Sequence, residues 1–120
     1  MNNWERMKAG RLYNADSKDL EKYHSFGMET CDKFNRTPLW RKKRKQRLLE
    51  KLIPSAKDGG AAIFAPFYCE YGVNIHFGKG CFVNYKCTFL DCAPITLEDG
   101  VWVLSLIHIS EPTRLGMISY

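Results

Sequence analysis

Large and small apolar residues recur at a fixed interval in the second half of the chain. The segment 74–83 returns twenty residues later as the segment 94–103. Large apolar side chains fall six residues apart, with two extra residues inserted once, at Phe77, Val83, Phe89, Leu97 and Val103. Small residues come four places after large ones, at Cys81, Cys87 and Val101. This interval predicts a parallel β-helix, in which each face of a triangular coil contributes one inward side chain.

Residues 61–103 therefore predict the start of such a β-helix, with about two coils. Its strands should be short, roughly three to five residues each, and joined by tight turns. Glycine and asparagine suit turns that need unusual backbone angles, and they occur here at Gly72, Asn74, Gly78, Gly80, Asn84 and Gly100.

Residues 1–57 predict a helical cap. A short helix covers about residues 4–9 and ends at Gly10, a residue suited to helix C-termini. Asp16 or Ser17 then caps a second helix. Thr37 and Pro38 should open a third helix that runs to about residue 53, where Pro54 stops it. Residues 55–60 form the hinge between the cap and the coils.

The last segment, residues 104–120, does not continue the six-residue interval. Residues 104–109 have strand propensity, but residues 111–114 interrupt them with Glu and Pro. The run 104–114 looks like the in-frame translation of a sequencing-library adapter. We therefore expect the native reading frame to end at Val103 and the tail to be non-native.

Charge is concentrated in one place. The net charge is +5, and residues 41–45 with Arg47 carry one dense basic run. This run could bind phosphates, but leucines around it favour the solvated face of an amphipathic helix. No aromatic residues are interleaved with the charges to stack on bases, so nucleic acid is not an expected partner.

The five cysteines and the lack of long apolar runs limit the kinds of protein that this chain can be. Their odd number, without a C-x-x-C pair, favours reduced core thiols over metal ligands or disulfides. No run of eighteen apolar residues and no secretory leader is present, so neither a membrane partner nor export is expected. We expect a cytoplasmic protein.

Five segments together resemble one family. They are residues 5–13 followed by Asp16, residues 69–78, residues 82–85, residues 89–95 and residues 98–101. The likeness spans residues 4–103 and is to the maltose and galactoside O-acetyltransferases. The resemblance implies a mainly β fold, a left-handed parallel β-helix behind an α-helical cap. It also implies acetyl transfer from acetyl-CoA, as co-substrate, to a sugar hydroxyl, a homotrimer with sites between subunits, and no metal.

The resemblance also implies four acceptor-binding residues. Asn84 matches an acceptor contact, and Asp91 lies at or next to an acceptor-binding carboxylate, with Cys92 in the adjacent place. Glu70 and Asp16 match positions that reach the sugar. Each has a simpler alternative: a turn residue for Asn84, a turn cap for Asp91, a solvated side chain for Glu70 and a helix N-cap for Asp16.

A catalytic histidine is not found by this resemblance. The family's general base should fall near Arg114, in the foreign-looking tail. His108 lacks its context, His24 is expected on the cap surface or at an interface, and His76 is at most a pocket-edge residue. We therefore expect no catalytic residue and no identifiable acetyl-CoA site, and we expect the chain as it stands to be inactive.

Three functions remain open at this point. The first is a sugar O-acetyltransferase of which this chain is the N-terminal part. The second is a non-catalytic binding or scaffold module that uses the basic helix at residues 38–53. The third is a related transferase acting on a cell-surface saccharide or a lipo-oligosaccharide such as a nodulation factor.

Overall fold

The structure is a computed structural model that describes residues 1–57, 59–104, 108–110 and 113–115, the last two ranges as backbone only. Three helices come first: α1 Asn3–Lys8, α2 Lys18–Arg36 and α3 Lys42–Leu52. A single 3-10 turn, Pro54–Ala56, leads into the strands. These are β1 Ala61–Ile63, β2 Phe67–Cys69, β3 Ile75–Phe77, β4 Cys81–Val83, β5 Cys87–Leu90, β6 Ile95–Leu97, β7 Trp102–Val103, β8 His108–Ser110 and β9 Thr113–Leu115.

The strands form the three faces of a triangular coil. They pair in parallel as β1-β4-β7, β2-β5-β8 and β3-β6-β9, so each face takes every third strand. Between the first two coils every pair is offset by twenty residues, as in Phe67 with Cys87 and Ile75 with Ile95. The six-residue interval with one two-residue insertion therefore predicted the winding correctly.

The core of the coils alternates large and small side chains. Phe67 pairs with Cys87, and Cys69 pairs with Phe89, so each aromatic ring lies over or under a thiol. The inward positions predicted from the sequence are all buried: Phe77, Cys81, Val83, Cys87, Phe89, Leu97, Val101 and Val103. This alternation lets successive coils interdigitate without voids. Three of the five thiols fill such core positions, and Cys31 of α2 is buried against them. The prediction of core thiols is therefore confirmed for four cysteines and wrong for Cys92, which is only partly buried.

The ladders continue past Val103. Thr88 pairs with His108, and Ile95 pairs with Thr113, so β8 and β9 add to two of the faces. Strand β8 agrees with the strand propensity of residues 104–109, whereas the bounds 61–103 for the β-helix segment stay a prediction. The offset from Ile95 to Thr113 is eighteen residues, so the two-residue insertion is not repeated there. The non-native origin of residues 104–120 stays a prediction.

The cap has three helices, but one boundary differs from expectation. Gly10 ends the first helical segment with a φ of 74°, as predicted, and Ser17 rather than Asp16 is the N-cap of α2. Thr37 does not open α3; its hydroxyl donates to the Lys33 carbonyl at 2.6 Å and so completes α2. Residues 38–41 form a separate turn, in which the Arg41 N–H donates to the Pro38 carbonyl at 3.0 Å, and α3 begins after it at Lys42.

The basic side chains of α3 lie on its solvent-exposed face. Its leucines at positions 48, 49 and 52 are buried, whereas residues 41–44 and Arg47 are exposed. The interpretation as an amphipathic helix is confirmed by this pattern. Lys45 is the exception, because its ammonium group donates to the Phe34 and Thr37 carbonyls and stabilises the end of α2.

The cap docks directly on the coils. The Asn35 side chain receives the Phe67 N–H at 2.8 Å and donates to the Phe67 carbonyl at 2.9 Å, which fixes α2 along β2. Gly27 lies against the backbone of Glu70 and Tyr71, where a side chain would collide. The corner that follows β2 is therefore held between α2 and the coil below it.

None of the helices in the described part of the chain combines the length and hydropathy needed to cross a bilayer.

Candidate functional site

A cleft of about 430 Å³ opens where the cap meets the corner after β2. One wall comes from the loop before α2 and from the first turns of that helix. The other wall comes from the corner after β2 and from the matching corner one coil later. The residues that line this junction cleft are Tyr13, Ala15, Asp16, Leu20, Glu21, His24, Glu70, Tyr71 and Cys92.

Two of the four predicted site residues line the junction cleft. Asp16 reaches it from the loop before α2, and Glu70 reaches it from the end of β2. Because Ser17 takes the N-cap position, the helix-cap alternative for Asp16 does not hold. The fold thus brings together two carboxylates that are far apart in sequence.

Cys92 lies one coil after Glu70 and holds the Glu70 side chain in place by a hydrogen bond. Its thiol donates to Oε2 of Glu70 at 2.7 Å, and both side chains are only partly buried. Cys92 lines the cleft, whereas its neighbour Asp91 does not. The sequence left open whether the acceptor-binding carboxylate falls at position 91 or at position 92. The position that faces the cleft is 92, and it carries the Cys92 thiol rather than a carboxylate.

Asp91 points into the protein instead. Its side chain is 0% exposed, and its oxygens accept the backbone N–H groups of the corner 70–74. The donors are Glu70 at 3.2 Å, Tyr71 at 2.9 Å, Gly72 at 2.7 Å and Asn74 at 3.3 Å. This placement gives Asp91 the role of a turn anchor and does not support direct contact with an acceptor.

Burial raises the pKa of Asp91 to about 6, although its backbone donors favour the ionised form and partly oppose the rise. Asn74 completes the cluster, since its side chain donates to the Asp91 carbonyl at 2.7 Å. We call Asp91, Asn74 and the backbone of 70–74 the corner cluster.

Asn84 lies at a different corner of the triangle, after β4, and does not line the junction cleft. Its side chain donates to the Leu104 carbonyl at 2.9 Å and accepts the Tyr85 N–H at 2.9 Å. The left-handed residue of this turn is Lys86, with a φ of 65°, rather than Asn84. Within one protomer, Asn84 is therefore not brought together with Asp16 and Glu70.

Among the cleft residues that sequence reasoning missed, His24 and Tyr71 lie at the contact between the cap and the coils. His24 follows Leu20 by one helical turn, and its ring lies 5.6 Å from the Tyr71 ring in an edge-on arrangement. Tyr71 is buried, and that burial raises the pKa of its phenol well above the usual value. The i, i+4 spacing from Leu20 was the available signal, since it puts His24 on the helix face that meets the coils.

The other histidines lie elsewhere. His76 is exposed on the outer face of β3, in a shallow groove with Thr96 and Glu98. The backbone of His108 belongs to β8, and its side chain lies outside the described residues. Among the described side chains, no group of three or more His, Cys, Asp or Glu is arranged to hold a metal ion.

The junction cleft has one sign of charge. Asp16, Glu21 and Glu70 line it together with His24, and no lysine or arginine is among its lining residues. Carboxylates accept hydrogen bonds from hydroxyl groups, and the rings of Tyr13 and Tyr71 offer flat apolar surface. The arrangement suits a neutral polyhydroxylated ligand and disfavours an anionic one.

Comparison with protein families gives one match, to the maltose acetyltransferase hexapeptide capping motif over residues 6–57. The chain is 34% identical to nodulation protein L of Rhizobium leguminosarum bv. viciae over 116 residues. That alignment covers 88% of the chain and 55% of the relative.

Solved structures show the same fold. A maltose O-acetyltransferase from Clostridium difficile 630 matches with a TM-score of 0.74 and 28% identity, covering 88% of this chain and 59% of that one. A hexapeptide-repeat acetyltransferase from Vibrio cholerae, complexed with acetyl-CoA, matches with a TM-score of 0.69 and 26% identity, covering 85% and 54%. The fold is a left-handed parallel β-helix with a helical cap, as the resemblance implied. The chain spans between half and three fifths of the length of these proteins.

Proposed function

Because the chain belongs to the hexapeptide-repeat acetyltransferases that carry the maltose acetyltransferase capping motif, we propose that it forms the acceptor-binding part of a sugar O-acetyltransferase. The full reaction would move an acetyl group from acetyl-CoA to a sugar hydroxyl in the cytoplasm. Acetyl-CoA is the co-substrate, and we assign none of the described residues to it.

The junction cleft is the observation that supports this proposal. It collects Asp16, Glu70 and His24 from two structural layers around an open space, between tyrosine rings. Hydroxyl groups of a saccharide would donate to the carboxylates, and its apolar ring face would lie on a tyrosine. Since cations are lacking in the lining, a maltose- or galactoside-like neutral sugar fits better than a phosphorylated one.

The sequence resemblance implies that Asn84 also contacts the acceptor, although it lies at another corner of the protomer. We propose that a homotrimer resolves this, with Asn84 of one subunit completing the junction cleft of the next. Asp91 would then act only through the corner that it holds, by keeping Glu70 in position.

We further propose that no histidine of this chain acts as the general base. A base within hydrogen-bond reach of the hydroxyl is typically worth about 10²–10⁴-fold in rate. Among the described side chains, His24 is the one histidine that lines the junction cleft, but it lies on the cap and lacks the sequence context of the family's base. Its role here is to position the acceptor.

Titration calorimetry with maltose, isopropyl thiogalactoside and glucose 6-phosphate tests the acceptor site. We expect the neutral sugars to bind more tightly than the phosphate, and Asp16→Asn and Glu70→Gln each to weaken binding by roughly fivefold, about 1 kcal/mol. Asp99→Asn, an exposed carboxylate outside the cleft, is the matched control and should leave affinity unchanged. Equal losses in all three variants, or preference for the phosphate, would contradict the proposal.

Release of free CoA from acetyl-CoA, followed with a thiol reagent, tests the absence of a base. We expect no sugar-dependent release by the chain, and release once the reading frame is continued beyond Val103 with the uninterrupted coding sequence. Sugar-dependent release by the chain itself, lost in His24→Asn, would instead make His24 the base.

A binding module built on the basic helix is the second candidate. Trp40 is 79% exposed, and the Arg41 guanidinium lies 6.0 Å from its ring centre, so an aromatic side chain accompanies the charges after all. An acidic partner would bind there in a salt-dependent manner. A continued reading frame without further six-residue repeats would favour this candidate over the transferase.

A further inference from the structure

A second pocket lies on the other side of Tyr71 from the junction cleft. It has a volume of about 440 Å³, within the usual range for small-molecule sites. All three cap helices and the corner after β2 contribute to it. Its lining consists of Trp4, Lys8, Lys22, Tyr23, Phe26, Lys51, Leu52, Pro54, Tyr71 and Val73, and we call it the lysine pocket.

One side of the lysine pocket is apolar and exposed. Tyr23 is 42% exposed, Phe26 45% and Val73 45%, although all three are large hydrophobic residues. The Trp4 ring stacks on the Tyr23 ring with centroids 4.3 Å apart and meets the edge of Tyr71 at 5.0 Å. These contacts fix the aromatic surface before any ligand arrives, which lowers the entropic cost of binding.

The rim of the lysine pocket is cationic. Lys8, Lys22 and Lys51 come from three different helices, and the pocket's lining contains no aspartate or glutamate. The Lys8 ammonium group lies 5.6 Å from the centre of the Trp4 ring, so charge and aromatic surface adjoin. Three lysines and no carboxylate in the lining give this pocket a positive charge that favours an anion, in contrast to the acidic junction cleft.

We propose that the lysine pocket binds a small amphiphilic anion, with an apolar or aromatic body on the Trp4, Tyr23 and Phe26 surface and a carboxylate or phosphate among the three lysines. The occupant is a free small molecule, because the three lysines line a single pocket whose volume of about 440 Å³ suits a ligand of that size. This site is independent of acetyl transfer, and its test does not require an active enzyme.

Tryptophan fluorescence reports on the site directly. The chain has three tryptophans, and W40F with W102F leaves Trp4, which lines the pocket, as the sole emitter. The probes are 4-phenylbutyrate, its neutral counterpart 4-phenyl-1-butanol, and inorganic phosphate. We expect saturable quenching with 4-phenylbutyrate, binding of the alcohol weaker by about fivefold, and no quenching with phosphate alone.

Two triple variants separate the pocket from general charge. K8Q/K22Q/K51Q should weaken 4-phenylbutyrate by about tenfold, whereas K18Q/K33Q/K43Q, which removes three exposed lysines elsewhere, should change it less than about twofold. Circular dichroism confirms that both are folded. Equal effects of the two triples, or equal affinity for acid and alcohol, would overturn the proposal. So would a monomer–dimer equilibrium that F26S abolishes without any probe binding, since the occupant would then be a second copy.

Discussion

The corner cluster and the junction cleft lie side by side, yet they use the same chemical groups in opposite ways. In the corner cluster, Asp91 is fully buried and surrounded by four backbone donors. In the cleft, Glu70 and Asp16 face open space and keep capacity for a ligand. Asp91 and the cleft residue Cys92 are neighbours in sequence, so proximity along the chain says little about role.

The comparison teaches that the number of protein donors already bound to a carboxylate distinguishes one that holds a turn from one that remains available to a ligand. A carboxylate whose lone pairs are taken by the backbone stabilises the corner and has none left for a sugar. One that meets a single thiol, as Glu70 meets Cys92, is held in position and still has lone pairs to offer. Four predictions test this separation.

Asp91→Ala should have the largest effect. It leaves the N–H groups of Tyr71, Gly72 and Asn74 without the acceptor that Asp91 provides, and we expect a loss of at least about 3 kcal/mol in the free energy of unfolding. Asp99→Ala is the control, because Asp99 is exposed and accepts the Lys79 N–H at 2.8 Å; it should cost less than about 1 kcal/mol. Urea unfolding measures both, and similar losses would contradict the structural role of Asp91, since an exposed carboxylate would then matter as much for stability.

The second prediction concerns pH. The pKa of Asp91 is about 6 in the folded protein against an ordinary value of 3.8, so the folded state retains a proton that the unfolded state has lost. Its contribution to stability is therefore fully present below about pH 3.8 and is lost as pH rises through about 6. The stability difference between the parent chain and Asp91→Ala should be larger at pH 4 than at pH 7, by up to about 3 kcal/mol. A larger difference at pH 7 would contradict this.

Gly27→Ala should separate the cap from the corner. A methyl group at Gly27 would overlap the Glu70 carbonyl oxygen and come within 3.0 Å of the Tyr71 Cα. We expect a loss of about 1–3 kcal/mol, although alanine normally favours a helix over glycine. Ser25→Ala, at an exposed position of the same helix, should stay within about 0.5 kcal/mol of the parent chain. Thermal unfolding checks both, and a stabilised Gly27→Ala would show that α2 does not press on the corner.

The smallest effect on stability is expected for the cleft itself. Asp16→Asn and Glu70→Gln keep the size of each side chain, and we expect each unfolding free energy to stay within about 0.5 kcal/mol of the parent. Their effect should instead be on saccharide affinity, as tested above. Destabilisation comparable to that of Asp91→Ala would place these carboxylates among the structural ones.

The coils were predictable because the apolar residues that point inward recur at a regular interval in the sequence. Each inward position, such as Val83 or Phe89, repeats a constraint imposed by the coil below, so one sequence carries the pattern several times. The start of α3 was predicted four residues too early, because Thr37 serves both as a possible N-cap and as the end of α2. Past Val103 the sequence indicated strand propensity at residues 104–109, but it did not predict the pairing of β8 and β9 with the earlier coils, because that segment lacks their turn residues.

The cleft was only partly predictable, and the reason is geometric. Asp16 and Glu70 were found through the resemblance, but His24 and Tyr71 depend on how closely α2 approaches the corner, which Gly27 decides. The role of Asp91 could not be settled from sequence either. The sequence around an aspartate beside a turn is the same whether its side chain is buried under the turn or exposed to solvent.

The two residues that lengthen the first coils at the corner after β2 also have a consequence for how such proteins diversify. The offset between paired strands is twenty residues from β3 to β6 and eighteen from β6 to β9, so the corner absorbs the difference in length while the strands stay paired. Under the proposed function, exchanging this loop alone would change one wall of the acceptor site, provided that Asp91 and Asn74 are kept with it. A corner transferred without Asp91 and Asn74 would lose the hydrogen bonds that fix its backbone.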